Sequence, residues 1–118
     1  MPNNDLDFAR SLRSPDAIAS RRLMLRDAHM QPLTAYVETL RVDHPSWEFP
    51  DFDPLDGGSN TDILFLLEKP GPTTSANGKG SGFISRSNND ATAEATFGFM
   101  READIPRKRS VIWNVVPG

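Results

Sequence analysis

Apolar and polar residues recur with different periods in successive stretches of the chain, and each period predicts an element. Leu6, Ala9 and Leu12 stand at helical spacing in a short amphipathic start over residues 1–13. Ser14-Pro15-Asp16 then opens a helix with a side-chain cap, a proline at the first helical position and an acid in the first turn; its expected end is about Ala28. Gln31-Pro32 opens another. Leu33, Tyr36, Val37 and Leu40 fall at i, i+3, i+4 and i+7, the stripe of a helix with one buried face, ending before Asp43-His44-Pro45. Residues 62–68 (DILFLLE) are an unbroken apolar run between turn residues, the pattern of a strand buried on both faces in a parallel sheet. Asp90 caps a helix expected over 91–104 with Ala93, Phe97 and Met100 inward. After a basic break at 105–109, residues 110–116 (SVIWNVV) read as a second buried strand.

Two stretches interrupt this pattern. Residues 43–61 hold three Pro, two Gly and five acids around Trp47, Phe49 and Phe52. Proline at that density forbids a helix or a central strand, so an extended segment pinned over the core by its aromatics is expected. Residues 69–89 (KPGPTTSANGKGSGFISRSNN) read as one long Gly/Ser/Thr/Asn-rich loop, and a structureless loop of that length within a compact domain is usually functional. Strand, long loop, helix and strand in this order form a βαβ unit with a right-handed crossover. The fold class expected is α/β, a short parallel sheet flanked by helices. It is organised as an N-terminal helical segment (1–42), the extended Pro/acidic segment (43–61) and an α/β part (62–118) within one domain. Ligands of open α/β sheets bind at the carboxyl ends of strands, where the 69–89 loop and Asn114 both fall.

Composition narrows the chemistry. With 118 residues there is room for one domain, and 37% apolar residues implies a generous share of loop. The absence of cysteine excludes disulfides, thiolate zinc sites, iron–sulfur clusters and a cysteine nucleophile. No apolar run reaches membrane-span length and MPNNDLDFAR lacks the features of a signal peptide, so a soluble cytoplasmic protein is the expectation. The net charge of −3 conceals a split: residues 1–61 carry six basic and ten acidic side chains, residues 62–118 seven and six. Any nucleic-acid contact must then be a local patch of the second half; arginines on solvated helix faces are the simpler reading.

The motifs mostly exclude. Gly78-Lys79 is followed by Gly80 and preceded by no properly spaced glycine, so there is no Walker A loop, and Gly78, Gly80 and Gly82 do not form the dinucleotide fingerprint. His29 and His44 have no ligand partners in range and read as surface or capping residues. Glu68-Lys69, at a strand end, is either a solvated pair or a site where a carboxylate activates water. Phe83 is either a core plug or a platform for a flat ligand. Asn114 stands among residues that all favour burial, and burying an amide without partners costs roughly 1–3 kcal/mol. Either a structural hydrogen bond or a ligand with a matching amide edge must meet it.

Taken together, LFLLEKPGP, GSGFISRSNNDATAE and VIWNVVP resemble the uracil-DNA glycosylase superfamily over about residues 54–118. Leu67-Glu68-Lys69-Pro70-Gly71 stands where that superfamily has a G-x-x-P-[YG] motif, Phe83 where it has a loop aromatic, and Asn114 where it has an asparagine closing the next strand. The resemblance implies an enzyme that flips uracil, or a related deaminated base, out of DNA and hydrolyses its N-glycosidic bond without cofactor or metal. Phe83 would stack on the base and Asn114 would pair with its amide edge. Lys69, Pro70 and Gly71 would complete the base site, and Gly80, Ser81 and Arg86 would meet DNA phosphates. Departures follow. Leu67 replaces the motif's glycine, and Lys69 replaces an acid, leaving Glu68, Asn89 and Asp90 as substitutes for water activation. Gly71 replaces a tyrosine that blocks the thymine methyl. The second motif of the superfamily, of H-P-S type, belongs after two further strands, whereas His44-Pro45-Ser46 precedes the first motif and does not correspond to it. A truncated form with little or no activity is therefore expected. The alternatives are a non-catalytic remnant or a small α/β module binding a phosphorylated ligand at the 69–89 loop.

Overall fold

The computed structural model describes residues 7–68, 71–75 and 80–117. Its helices are α1 (Pro15–Leu23), α2 (Gln31–Asp43) and α3 (Ala91–Glu102). Its strands are β1 (Asp51–Phe52), β2 (Ile63–Leu67), β3 (Phe83–Ile84) and β4 (Ser110–Asn114). β2 and β4 pair in parallel from Ile63 opposite Ser110 to Leu67 opposite Asn114. β1 and β3 pair in parallel through Asp51 with Phe83 and Phe52 with Ile84. The architecture is α/β, but the single sheet expected is two two-stranded parallel ladders. Phe52 of one ladder stacks on Trp113 of the other, ring centroids 4.1 Å apart at 15°.

The helices follow their local chemistry. Ser14 Oγ accepts from the Ala17 amide and Pro15 occupies the first turn of α1. This helix stops at Leu23, short of the expected Ala28, because the chain turns at 24–30 and sends Leu25 and Met30 into the core; Thr34 Oγ1 takes the Leu25 carbonyl at 2.9 Å. In α2 the predicted stripe faces inward through Val37, with Leu33 and Leu40 packed beside it. Tyr36, half-exposed, meets Trp113 edge-on at 6.2 Å. Asp90 caps α3 by accepting from the Ala93 amide at 2.7 Å, and Ala93, Phe97 and Met100 are buried as their spacing predicts.

Two expectations about strands are corrected. The proline-rich segment, expected to be extended with no helix or central strand, contains β1, an edge strand of two residues with Pro50 and Pro54 outside it. β3 interrupts the 69–89 loop, which is therefore not structureless along its length. β2 is not buried on both faces. Among the described residues it pairs only with β4, and Leu64 and Leu66 remain 56% and 54% exposed, while Phe65 on the opposite face meets Phe99 at 5.6 Å. β4 is buried throughout, and exposure returns at Val115 and Val116. The main core joins Met30, Val37, Phe49, Phe52, Ile84, Val111, Ile112 and Trp113; a smaller one joins Leu12, Ala17 and Phe83. Among the described residues no helix is long and apolar enough to cross a membrane.

Candidate functional site

A cavity of about 350 Å³ opens at the carboxyl ends of β2, β3 and β4, where Leu67, Ile84 and Asn114 are the last residues of their strands. Gly71, Pro72, Thr73 and Thr74 form one wall, Ser85, Arg86, Asn88 and Asp90 another, and Thr92, Ala93 and Thr96 of α3 a third. The β2–β4 register sets Leu67 opposite Asn114, and the Val115 amide donates to the Leu67 carbonyl at 2.7 Å, so the two strand ends are locked together. The 71–75 loop folds on itself: Thr74 Oγ1 donates to the Gly71 carbonyl, and the Ser81 amide donates to the Thr73 carbonyl. A Cβ at Gly80 would lie 2.6 Å from the Pro72 carbonyl and the Ser75 backbone, so this close return of the loop requires glycine.

Asn114 is 3% exposed, and its Oδ1 is buried with no hydrogen-bond partner among the described residues. A buried acceptor left unmet costs roughly 1–3 kcal/mol. The structure thus brings Asn114, Gly71, Arg86 and Asp90 to one cavity. It does not bring the other described sequence candidates there. Phe83 has no exposed surface; it packs with Leu12 and Ala17, and the Arg22 guanidinium lies 5.0 Å from its ring centre, so it occupies the core position. Asn89 accepts from Arg10 Nη1 at 3.3 Å, away from the cavity lining. Glu68 is exposed and outside the lining. Asp90 lines the cavity, but one oxygen caps Ala93 and the other accepts from Thr73 Oγ1. Ser81 is buried in a hydrogen-bonded turn with Asn88 and the Phe83 amide. Arg86 is buried instead of lying on a surface open to phosphate. Lys69 and Pro70 lie outside the described residues.

Behind the Ser85–Arg86 wall sits a buried ion cluster that the sequence did not disclose. Asp53 accepts from Arg107 Nη2 at 2.6 Å, Arg21 Nη1 at 2.7 Å, the Leu55 amide at 2.9 Å and Ser85 Oγ. Arg107 also donates from Nε to Asp56 at 2.7 Å and from Nη1 to Asp7 at 2.5 Å, and Asp7 in turn accepts from Arg86 Nη2. Burial alone would raise the Asp53 carboxyl, but Arg107 and Arg21 outweigh it and hold it below the usual carboxylate range. Burial pushes the Asp56 carboxyl up; Arg107 opposes this, Asp53 adds to it, and the result is about 7. Its Oδ2 has no partner among the described residues. Thr92 and Thr96, which also line the cavity, were missed as well, although their i, i+4 spacing was a readable signal; the Thr96 hydroxyl donates to the Thr92 carbonyl at 2.9 Å.

The fold and site define an α/β chain with a mostly neutral cavity at parallel strand ends and one unmet amide. In comparison with known proteins, no family model, no curated protein and no solved structure matches the chain.

Proposed function

We propose that the cavity receives a flat heterocyclic base bearing an N–H beside a carbonyl, and that the protein acts on deaminated bases in DNA in the manner of uracil-DNA glycosylases. The observation that carries this reading is the buried, unpartnered Oδ1 of Asn114 at the end of β4. An amide that accepts from a base N–H and donates to the adjacent carbonyl matches the uracil edge, and cytosine presents an unprotonated nitrogen and an amine at the same positions. Among the described residues the two charged groups of the lining are already paired, Arg86 with Asp7 and Asp90 with two donors. In base excision a water oxygen would bond to the sugar C1′ as the N-glycosidic bond breaks; the electron pair of that bond leaves on the base nitrogen, and the proton the water gives up reaches the departing base through solvent. A second reading, a binding module that does not cleave, is favoured by the full engagement of Asp90 and by Glu68 lying outside the cavity lining.

The test combines binding of free uracil and cytosine, followed by calorimetry, with abasic-site formation on uracil-containing oligonucleotides. Uracil binding at least about tenfold tighter than cytosine, lost in Asn114→Ala at unchanged thermal stability, is the expected result. Equal binding of the two bases, or wild-type preference in Asn114→Ala, would return Asn114 to a structural role. Abasic sites separate the glycosylase from the non-cleaving module.

A further inference from the structure

β2 carries more apolar surface than its own chain covers. Among the described residues its ladder partner is β4 alone. Its five residues, Ile63-Leu64-Phe65-Leu66-Leu67, include neither the proline nor the charge that usually protects an exposed edge. The run is close to a palindrome about Phe65: a leucine stands on either side, and a branched aliphatic residue beyond each leucine. Leu64 and Leu66 share one face of the strand and are exposed almost equally. Leu64 also lines a groove of about 440 Å³ between α2 and the β2–β4 ladder, together with Leu33, Tyr36, Phe52, Val111 and Trp113. On the other face half-exposed Phe99 stands against Phe65.

We propose that this edge is the interface of a two-fold dimer, in which β2 pairs antiparallel with β2 of a second copy about an axis at Phe65. The palindrome is what favours a second copy over an unrelated partner. A two-fold axis sets Phe65 opposite Phe65, Leu64 opposite Leu66 and Ile63 opposite Leu67 of the other copy, so every position of the run meets an apolar neighbour on its own face. The leucines of both copies then form one patch beside the two grooves, and the sheet runs unbroken from β4 of one copy to β4 of the other. Tyr36, Leu64, Leu66, Leu67 and Phe99 are each about half exposed. At roughly 200 Å² for a large apolar side chain, they offer about 500 Å² per copy, or about 1,000 Å² for the pair, the size at which specific interfaces begin. The flanking charges fit the same register. Asp62 of one copy falls opposite Glu68 of the other, and Arg109, 59% exposed, holds Asp62 through Nε and Nη2 at 3.1 and 2.5 Å. With Arg109 each end of the strand pair carries both signs; without it two carboxylates face each other, which is destabilising.

Sedimentation equilibrium of the full chain over a concentration series should show a reversible monomer–dimer equilibrium that stops at two copies. The chain has no cysteine, so engineered ones report the register. Leu64→Cys and Leu66→Cys proteins, mixed and oxidised, should give at least about tenfold more covalent dimer than either protein alone, because positions 64 and 66 of opposite copies are direct neighbours while like positions lie diagonally, beyond disulfide reach. Both leucines are exposed, so these changes leave the core untouched. Arg109→Gln, with thermal unfolding run alongside to show that it folds, should weaken the dimer by roughly threefold or more. A chain that stays monomeric, association that runs on past two copies, single variants that cross-link as well as their mixture, or an Arg109→Gln dimer as tight as wild type overturns the proposal. None of these measurements involves a base, so their outcome is independent of the reading of the cavity.

Discussion

Replacing Asp53 by asparagine keeps the shape of the side chain and removes its charge. Four donors converge on this carboxylate, two of them the guanidiniums of Arg21 and Arg107, which are themselves buried. Neutralising it leaves two desolvated cations short of a counter-ion, and breaking a buried pair by removing one partner costs about 3–5 kcal/mol. That is a large part of the 5–15 kcal/mol that holds a domain folded. Asp56→Asn is the contrasting change. With its carboxyl raised to about 7, Asp56 folds with a proton that the unfolded chain releases near 4, so its contribution is complete below about 4 and is lost as pH rises through 7. Asp53 and Asp7, both lowered, behave in the opposite sense: their contribution is present above about 4 and disappears as pH falls through their folded values. Urea unfolding followed by tryptophan fluorescence, with Trp113 stacked in the core as reporter, measures all three proteins at pH 5 and pH 8. Wild-type stability should decline from pH 5 to about pH 7 by up to about 1.4 kcal/mol per pH unit and level off above it. Asp56→Asn should flatten that decline and match or exceed wild type at pH 8, while Asp53→Asn loses several kcal/mol at both. Similar losses for the two variants at pH 8, or a loss below about 1 kcal/mol for Asp53→Asn, would refute the account of the cluster.

Phe83→Ala should destabilise by about 3–5 kcal/mol, because a fully buried ring is removed from between Leu12 and Ala17; unchanged stability with lost uracil binding would make Phe83 a stacking platform after all. Gly80→Ala should cost about 1–3 kcal/mol through the contact of its Cβ with the Pro72 and Ser75 backbone, measured by the same unfolding assay; Gly71→Ala, whose Cβ meets nothing within 4 Å, serves as the control that stays near wild type. Leu66→Lys places a charge on the exposed face of the unpaired β2 edge and should suppress concentration-dependent association in sedimentation experiments; association that persists unchanged locates the sticky surface elsewhere.

The elements legible in the sequence are those decided by neighbours close along the chain. The cap at Asp90 and the stripe Ala93, Phe97, Met100 are local chemistry, and α3 follows from them. The stripe of α2 is equally local. α1 was overextended because its helical signal does not register the demand of the core for Leu25 and Met30. β1 and β3 were missed because a two-residue strand has no period; its pairing is set by a partner some thirty residues away. The exposed face of β2 escaped notice because an apolar run reads as buried whether or not a neighbour covers it. In the candidate site, Asn114 was legible as a polar residue inside an apolar run. The ion cluster was not, because Asp7, Arg21, Asp53, Asp56 and Arg107 are scattered along the chain, and each alone reads as a solvated charge.

The Asp7–Arg107 contact closes a span of 100 residues. Both ladders are parallel as well, so neither can form as a hairpin. Chain connectivity therefore imposes an order on assembly during synthesis. While the ribosome adds residues at roughly 5–20 per second, α1, α2 and the Asp53 carboxylate emerge seconds before the arginine that completes their cluster. Until Arg107 arrives, Asp53 and Asp56 lack that shared cation and β2 lacks β4. The stretch from Arg107 to Asn114 thus brings both the cation that consolidates the cluster and the asparagine that completes the cavity, and before it appears the nascent chain has neither.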